Sequence, residues 1–285
     1  MTDHVTQRRQ KVVRSHTGAR LIFFLILAGC LLLAALFAEH LCPYDPYAQD
    51  LSIAMQVPGP DHLLGTDRYG RDMLSRVLIG GRTSIFATLI LVAVVTVTGT
   101  GIGVISAWKP GPVDTVLMRI SDLFLAFPSL VFALAVAGVL GGGVQNAILA
   151  LALVSWPKYA RLARSQTLVQ KSSTYIMAAR LSGSSDLQLV IRHILPNIAG
   201  PVLVTAVLDI GTMMMELAAL SFLGLGVKPP MAEWGSMMSD GRSLLQSVPW
   251  MILAPGAAIF MTVMIFNLLG DTIRDYLDPK ERTKG

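Results

Sequence analysis

The amino-acid sequence predicts an all-α polytopic membrane protein with six transmembrane helices, and three observations support this prediction. Of the 285 residues, 53% are hydrophobic and only 14% are charged, whereas a soluble domain carries about 25% charged residues. Long apolar runs recur along the chain. Lysine and arginine cluster in alternate segments between those runs. A bilayer is an apolar solvent for such a composition, so the sequence favours a membrane protein.

Five apolar runs provide the six predicted spans: 21–38, 83–108, 123–157, 194–227 and 248–270. The first run has no charged residue and would extend for about 27 Å as a helix, close to the thickness of a hydrocarbon core. A secretory signal peptide is the alternative for this run. Its apolar core would be shorter, however, and no small-x-small cleavage site follows the run.

The third run is too long for one helix, and the glycine triplet at 141–143 divides it. We expect a helix on each side of this turn. The second of these helices, the fourth span, is short and is predicted to continue to about Arg164, with its basic side chains snorkelling out of the membrane. The fifth run is interrupted by Asp209 and Glu216.

The distribution of lysine and arginine predicts the orientation of the spans. Basic residues are concentrated in both terminal tails and between spans four and five, which all lie on one side if there are six spans. That side is predicted to be the cytoplasm, with both termini inside. The predicted organisation is a cytoplasmic tail (1–20), a transmembrane domain (21–270) with outer loops at 39–82 and 224–247 and a cytoplasmic loop at 165–196, and a cytoplasmic tail (271–285).

The sequence also argues against several classes of function. It contains no phosphate-binding loop, no H-E-x-x-H motif and no series of His and Cys at metal-ligand spacing. Cys30 and Cys42 form no disulfide framework. No predicted span has a histidine in its interior, which argues against an intramembrane protease. We therefore expect a protein that is not an enzyme, with no catalytic residues, no assigned metal ligands and no bound cofactor. The short basic clusters give no support for nucleic-acid binding.

The most informative segment, 177–196, reads M-A-A-R-L-S-G-S-S-D-L-Q-L-V-I-R-H-I-L-P. Ala178 and Ala179 have little bulk, so that another surface can approach closely. Gly183 permits a sharp turn, and Pro196 is expected to stop one element and start the next. A cytoplasmic loop with no special role could also contain alanines and a glycine.

This segment resembles the E-A-A-x-x-x-G signature of ABC-importer permeases, which ends in L-P. Matches are found at Ala178, Ala179, Gly183, Leu195 and Pro196, whereas Met177 replaces the usual glutamate and His193 replaces the usual apolar residue. The resemblance implies that the loop is a coupling helix, which docks in a groove of a cytoplasmic ATPase.

Further motifs at 64–82, 220–227, 232–235 and 266–279 together resemble the C-type permease of the dipeptide, oligopeptide and nickel importer group. Motifs at 180–183, 208–211, 213–214 and 232–235 are most similar to the nickel-transport branch. The resemblance implies an ABC-importer type I permease fold in the bacterial inner membrane. It also implies a complex in which the partners use the ATP: a second homologous permease, two cytoplasmic ATP-binding subunits and an extracytoplasmic substrate-binding protein, surrounded by membrane lipid.

Within the fifth span, four polar residues share one helical face at i, i+4, i+7 and i+11: Thr205, Asp209, Thr212 and Glu216. Carboxylates inside a span are energetically costly and mark a polar pathway or a paired interior contact. We expect this face to line the translocation route or to pack against the partner permease. Pairing of both acids within the helix bundle is an equally weighted alternative. The methionines at 213–215 could act as soft metal ligands, but apolar packing is favoured.

Three further groups are predicted to be structural or to bind a partner. Asp67, Arg71 and Asp72 match the family signature, and they are expected to form an outer scaffold or to contact the binding protein; ion pairing within the loop is equally compatible. Gly99 and Gly103 form a G-x-x-x-G motif typical of helix packing. Asn267 and Asp271 share a face near the inner end of span six.

The expected function is that of the permease subunit of an ATP-binding-cassette importer for nickel, as an ion or a chelate. The same role in a dipeptide or oligopeptide importer is the alternative. A secondary transporter independent of any ATPase, with Asp209 and Glu216 as proton carriers, is the rival from another class. A non-transporting scaffold or channel would not need the docking loop.

Overall fold

The computed structural model describes residues 2–277, and describes side chains from residue 18 onward. The basic residues of the predicted N-terminal tail before that point, and the last eight residues of the predicted C-terminal tail, lie outside these described parts. Within the described residues the chain is helical and has no β-strand, in agreement with the predicted all-α class. A single isolated bridge joins Thr66 to Asp72.

Eleven α-helices are formed in the described part of the chain: α1 (Thr2–Leu36), α2 (Ala38–Leu41), α3 (Met73–Trp108), α4 (Pro112–Leu125), α5 (Ser129–Val139), α6 (Val144–Lys171), α7 (Thr174–Leu181), α8 (Asp186–Leu189), α9 (Leu195–Phe222), α10 (Trp234–Gly241) and α11 (Trp250–Leu277). Short 3₁₀ helices lie at Leu51–Ile53 and Arg242–Leu244, and a π turn at Val190–Ile194 joins α8 to α9.

Four helical segments of the described chain are long and apolar enough to cross a membrane: Gly18–Leu36, Met73–Trp108, Asp186–Phe222 and Trp250–Leu277. The pair formed by α4 and α5, bent by 92°, raises this number to five if it is counted as one span. The α6 helix is not among them, because polar residues at its start and basic residues further along lower its mean hydropathy. Length and composition therefore support four to five of the six predicted spans.

The helix break predicted at 141–143 is confirmed, since α5 ends at Val139 and α6 begins at Val144. All three glycines of the triplet have positive φ, which glycine adopts without strain. A second break at Phe127-Pro128 was not predicted, and the expectation of one helix starting at residue 123 is wrong. The reason is Pro128, which disfavours helical backbone at the residue before it.

Two of the basic side chains on α6 that were predicted to snorkel form ion pairs with acids on α4. Arg164 Nε and Nη2 each donate to an Asp114 carboxylate oxygen at 2.7 Å. Arg161 Nη2 donates to Asp122 Oδ1 at 2.5 Å. These ion pairs tie α6 to α4, so both arginines are balanced by acids on the neighbouring helix.

The start of α3 and the ends of α9 and α11 differ from the predicted boundaries. The α3 helix begins at Met73 because the Asp72 carboxylate accepts from the Ser75 backbone N–H at 2.7 Å and caps the helix. The α9 helix ends at Phe222, just before Gly224, which has a φ of 87°. The α11 helix continues to Leu277, beyond the predicted end at residue 270.

Pro196 does not separate two elements, contrary to the prediction, because 186–222 is a continuous helical segment. The backbone N–H of Leu195 bonds to the carbonyl of Val190, which is the spacing of a π turn. The π turn widens the helix immediately before Pro196. In a regular α-helix the proline ring would crowd the preceding helical turn.

The chain forms two compact units, one of Met1–Phe86 with Val207–Gly285 and the other of Ala87–Ala206. In the first unit, α11 packs against α1 and α10. In the second unit, α6 packs against α4 and α5. Cys30 and Cys42 are both free thiols.

The predicted packing role of the G-x-x-x-G motif is confirmed within the second unit. A Cβ atom placed on Gly99 would lie 2.6 Å from the carbonyl oxygen of Trp156. One placed on Gly103 would lie 2.2 Å from the carbonyl oxygen of Ala160. In contrast, Gly101 has no atom within 4 Å of that position. The α3 and α6 backbones therefore approach so closely that only glycine fits at the two contact positions.

Candidate coupling site and translocation face

The predicted cytoplasmic loop is an ordered segment of short helices. Its first residues still belong to α6, which ends at Lys171, and α7 follows after a two-residue turn. The chain then turns at Gly183, with a φ of 89°, as the sequence predicted for this glycine. Ser185 and Gln188 form a reciprocal capping box that starts α8. Local sequence chemistry thus specifies both the turn and the restart of the helix.

The inner side of this segment is anchored on a buried apolar cluster. Ile176 of α7 and Leu189 of α8 lie in it together with residues of α3, α6, the π turn and α9, and the buried members are Val104, Ala163, Ile176, Leu189, Ile194 and Ile198. Trp108, Ala179 and Val190 pack against this cluster and are partly buried. Burying these side chains fixes the position of α7 and α8 on the helices beneath them.

The same segment also presents apolar side chains that no described residue covers. Leu181 is 90% exposed and Leu187 is 68% exposed. Met177 and Ile191 are also more than half exposed. We call Met177, Leu181, Leu187 and Ile191 the coupling patch. Several large apolar side chains exposed on one short segment indicate an interaction surface. Met177 stands at the glutamate position of the signature and Leu181 at one of its unspecified positions, whereas Leu187 and Ile191 lie outside E-A-A-x-x-x-G. Sequence reasoning did not single out these four side chains as a surface.

The six residues predicted for the coupling loop separate into two places. Ala178 is exposed on α7, Ala179 packs on the buried cluster, and Gly183 forms the turn. His193 lies in the π turn, where its backbone oxygen accepts from Asn197 Nδ2 at 2.6 Å. Leu195 and Pro196 are exposed in the first turn of α9. Ala178, Ala179 and Gly183 therefore belong to α7 and the turn that follows it. His193, Leu195 and Pro196 belong to the π turn and the start of α9.

The four polar residues of α9 share a helical face but differ in exposure. Asp209 is buried, at 4% exposure, and Glu216 is partly buried. Thr212 is exposed. Thr205 donates through Oγ1 to the carbonyl of Pro201 at 2.9 Å, a bond within the helix. The face therefore includes the buried Asp209 carboxylate and the exposed Thr212 hydroxyl. This arrangement is compatible with a polar lining of the translocation route.

Beside Asp209, α9 approaches α11 closely in the first unit. A Cβ on Gly211 would lie 2.7 Å from Asn267 Oδ1, so Asn267 contacts the α9 backbone. Asp271 is exposed one turn further along α11. Of the methionines at 213–215, two are buried and the third is exposed, which supports packing over convergence on a metal. Among the described residues, no three His, Cys, Asp or Glu side chains are grouped as metal ligands.

The three outer-segment residues are buried parts of a hydrogen-bonded scaffold. Arg71 Nε donates to Asp67 Oδ2 at 2.6 Å, and the Tyr69 backbone N–H donates to Asp67 Oδ1 at 2.8 Å. Asp72 Oδ2 accepts from the Ser75 hydroxyl at 2.8 Å, and Asp72 Oδ1 lies 2.9 Å from His62 Nδ1. Because these acids are satisfied internally, the geometry favours a scaffold over direct contact with a partner.

A further buried carboxylate, Glu233, organises the loop predicted at 224–247. Its side chain accepts from the backbone N–H groups of Gly235 at 2.9 Å and Ser236 at 2.8 Å and so caps α10. Ser84 Oγ lies 3.2 Å from the same carboxylate and joins it to α3. Burial raises the pKa of the Glu233 carboxyl, and the hydrogen bonds oppose this effect. Sequence reasoning noted Glu233 only as part of a motif.

Replacing Glu233 by alanine is expected to destabilise the protein by about 2–4 kcal/mol, because two helix N–H groups lose their acceptor and a cavity is left. Asp240 is the matched control. It forms a partly exposed 3.0 Å ion pair with Arg68, and its replacement by alanine should cost less than about 1 kcal/mol. Thermal unfolding of the purified variants in detergent measures both values. Equal losses for the two variants would contradict the structural role of Glu233.

Comparison with known proteins places these features in context. Residues 99–283 match the family described as "Binding-protein-dependent transport system inner membrane component". The chain is 42% identical to the probable D,D-dipeptide transport system permease protein DdpC of Escherichia coli strain K12, over 96% of this chain and 95% of the relative. It is 40% identical to the nickel transport system permease protein NikC of the same strain, over 90% and 92%.

A third relative is the glutathione transport system permease protein GsiD of Pectobacterium atrosepticum, 40% identical over 95% of this chain and 89% of the relative. Among solved structures, an inward-facing form of the MetNI methionine ABC transporter aligns with a TM-score of 0.58 at 17% identity, covering 72% of this chain and 98% of that chain. An amino acid ABC transporter with histidines aligns with a TM-score of 0.54 at 19% identity, covering 71% of this chain and 94% of that chain. These two likenesses concern the fold.

Proposed function

Because this chain belongs to the family of inner membrane components of binding-protein-dependent transport systems, we propose that it is the C-type permease subunit of an ATP-driven importer. It is a multi-pass protein of the bacterial inner membrane and a non-catalytic subunit. The proposed complex contains a second homologous permease, two cytoplasmic ATP-binding subunits, a substrate-binding protein and the surrounding lipid. The ATP is bound and hydrolysed by the partner subunits, and this chain needs no cofactor.

The coupling patch is the observation that carries this proposal. Four exposed apolar side chains are held on a segment whose inner side is anchored in a buried cluster. A rigid apolar surface of this kind suits docking of a folded partner, here the proposed ATPase. Binding and hydrolysis of ATP would move that partner and, through the patch, the membrane-spanning helices. Transport by alternating access follows from this movement.

We propose a topology of six spans with α6 as the fourth, in which both termini and the loop at 165–196 lie in the cytoplasm. Two features support this assignment. The ion pairs of Arg161 and Arg164 with α4 balance the charges that make α6 less apolar. The remaining basic residues of that region lie at the same end as the coupling patch, as the positive-inside rule expects. The loops at 39–82 and 224–247 are then outside, the permease domain covers 21–270, and the tails are 1–20 and 271–285.

For the substrate we propose nickel, as an ion or a chelate, with a dipeptide or oligopeptide as the alternative of equal standing. The motifs at 208–211 and 232–235 support the nickel assignment. The identities to the relatives named for D,D-dipeptide, glutathione and nickel transport lie between 40% and 42%, and so they do not favour one substrate over another.

The proposed function is tested by uptake in cells that lack only this chain, with labelled nickel compared with a labelled dipeptide. Loss of nickel uptake alone supports the nickel assignment. Loss of dipeptide uptake alone retains the importer and replaces its substrate. If neither uptake changes in cells where the complex is otherwise expressed, this chain is not the permease for either substrate. Complementation with the wild-type chain is the control for effects on its partners' expression.

We propose that the α9 face of Thr205, Asp209, Thr212 and Glu216 lines the translocation route. The variants Asp209→Asn and Glu216→Gln keep the side-chain shape and remove the charge. Each is expected to lower uptake by about tenfold, the effect of losing one charged hydrogen bond, without loss of assembly. Met215→Leu, at an exposed position on another face of α9, should leave uptake unchanged. Unchanged uptake and assembly in both carboxylate variants would remove this face from the mechanism.

The two carboxylates also support a second candidate function, a secondary transporter in which Asp209 and Glu216 carry protons. Such a protein would transport without an ATPase and would not need the coupling patch. The two candidates therefore differ in their energy source, which can be measured directly.

A further inference from the structure

Trp108, the last residue of α3, lies close to two cations, one at the end of α6 and one on α7. Lys171 Nζ, at the end of α6, lies 5.1 Å from the centroid of its ring. Arg180 Cζ, on α7, lies 5.6 Å from the same centroid. Both distances are within the range of cation–π attraction. One indole ring therefore joins the ends of three helices.

Lys171 also binds the α3 terminus through hydrogen bonds. Its Nζ donates to the carbonyl oxygens of Ala107 and Trp108, each at 3.1 Å. These carbonyls belong to the last turn of α3, where they have no partner in the helix, and a cation is favoured there by the helix dipole. Lys171 thus fixes the end of α3 to the end of α6 independently of its contact with the ring.

Arg180 connects the Trp108 ring to the start of α8. Its Nη2 lies 3.4 Å from Asp186 Oδ1, at the start of α8. It is followed directly by Leu181, the most exposed member of the coupling patch. The Trp108 side chain also packs on the buried cluster that holds Ile176 of α7. A displacement of α7 at its outer surface is therefore transmitted to Trp108 by both polar and apolar contacts.

We infer that Trp108, which contacts both Lys171 and Arg180, is the positioning residue that transmits movement of the coupling patch to the membrane-spanning helix α3. The buried cluster alone is apolar and nondirectional, so it could hold α7 while allowing it to slide. The two cations fix the direction, because α7 cannot shift along α6 without leaving the ring or moving it. This inference rests on the proposed function, in which an ATPase moves the patch.

The test uses the complete complex, purified and reconstituted in nanodiscs with its two permeases, two ATPases and its own binding protein. The binding protein is loaded with nickel chloride or a dipeptide, whichever it retains. Three quantities are measured: ATPase co-purification, basal ATP hydrolysis, and the stimulation of hydrolysis by the loaded binding protein. Trp108→Leu removes the ring and keeps an apolar side chain, Trp108→Phe keeps an aromatic face, and Lys109→Met removes a neighbouring exposed cation as the control.

Trp108→Leu and Lys171→Met are expected to retain ATPase co-purification and basal hydrolysis and to lose stimulation by about tenfold. Trp108→Phe should retain most of the stimulation, and Lys109→Met all of it. Stimulation of Trp108→Leu within twofold of wild type overturns the inference, and so does equal loss of all activities in the Leu and Phe variants, which indicates a merely structural role. If no ATPase co-purifies with the wild-type chain, the proposed function itself fails.

Discussion

Replacement of Gly103 by alanine is expected to separate α3 from α6 and to destabilise the protein by about 1–3 kcal/mol, the usual cost of overpacking. The added methyl would lie 2.2 Å from the Ala160 carbonyl oxygen and 2.9 Å from the Arg164 backbone nitrogen. Both are backbone atoms, so no side-chain rotation relieves the overlap. The gain in helix propensity from glycine to alanine is only about 1 kcal/mol and does not offset it.

Gly101→Ala is the matched control, because it makes the same change on the same helix where no atom lies within 4 Å. In Gly101→Ala only the higher helix propensity of alanine acts, so the variant should be as stable as wild type or up to about 1 kcal/mol more stable. Thermal unfolding in detergent and the fraction eluting as a folded monodisperse species measure the difference. A loss of similar size in both variants would show that the α3–α6 contact is not as close as described.

Replacement of Leu181 by glutamate is expected to prevent ATPase docking while leaving the chain itself folded and inserted. Leu181 is 90% exposed, so a charge there removes no contact within this chain. In the proposed complex the carboxylate would be buried against the ATPase. Burial of such a charge at the centre of an interface costs at least about 2 kcal/mol, or about thirtyfold in affinity. The measurement is co-purification of the ATPase with tagged permease from membranes.

Val57→Glu is the matched control, since Val57 is an exposed apolar residue in the outer segment. It should retain the ATPase. Gly183→Arg is an independent second variant. Nothing lies within 4 Å of its Cβ position, so its effect would come from the left-handed backbone and the bulk presented to the partner. Retention of the ATPase by both Leu181→Glu and Gly183→Arg, with normal affinity, would exclude the coupling patch as the docking surface.

Much of the fold could be predicted from the sequence, because its determinants are local. The apolar runs identify the long helices, the glycine triplet at 141–143 ends α5, and the spacing of Gly99 and Gly103 predicts a close helix contact. Interactions over long sequence distances were missed. The α6 arginines pair with α4 acids up to 50 residues away. In the sequence, the charge of an arginine indicates only that its side chain avoids the apolar interior of the membrane. The break at Pro128 was overlooked within a uniformly apolar run.

The candidate sites show the same division between local and distant determinants. The turn at Gly183 follows from glycine chemistry, and the structure confirms its positive φ. In contrast, the signature residues do not show which side chains form the exposed surface. Leu181 and Leu187 become recognisable only when Ile176 and Leu189 are seen to face inward. The contacts of Trp108 with Lys171 and Arg180 join residues up to 72 positions apart, and no sequence pattern predicts them.

The most direct measurement of the central claim is uptake by proteoliposomes that contain the complete complex, with ATP supplied at the face where the ATPases lie. The account predicts uptake of labelled nickel or dipeptide that requires ATP and the loaded binding protein, and that persists when an ionophore collapses the proton gradient. Uptake by this chain without ATPase subunits, driven by a proton gradient and abolished by the ionophore, would contradict the account and identify a secondary transporter.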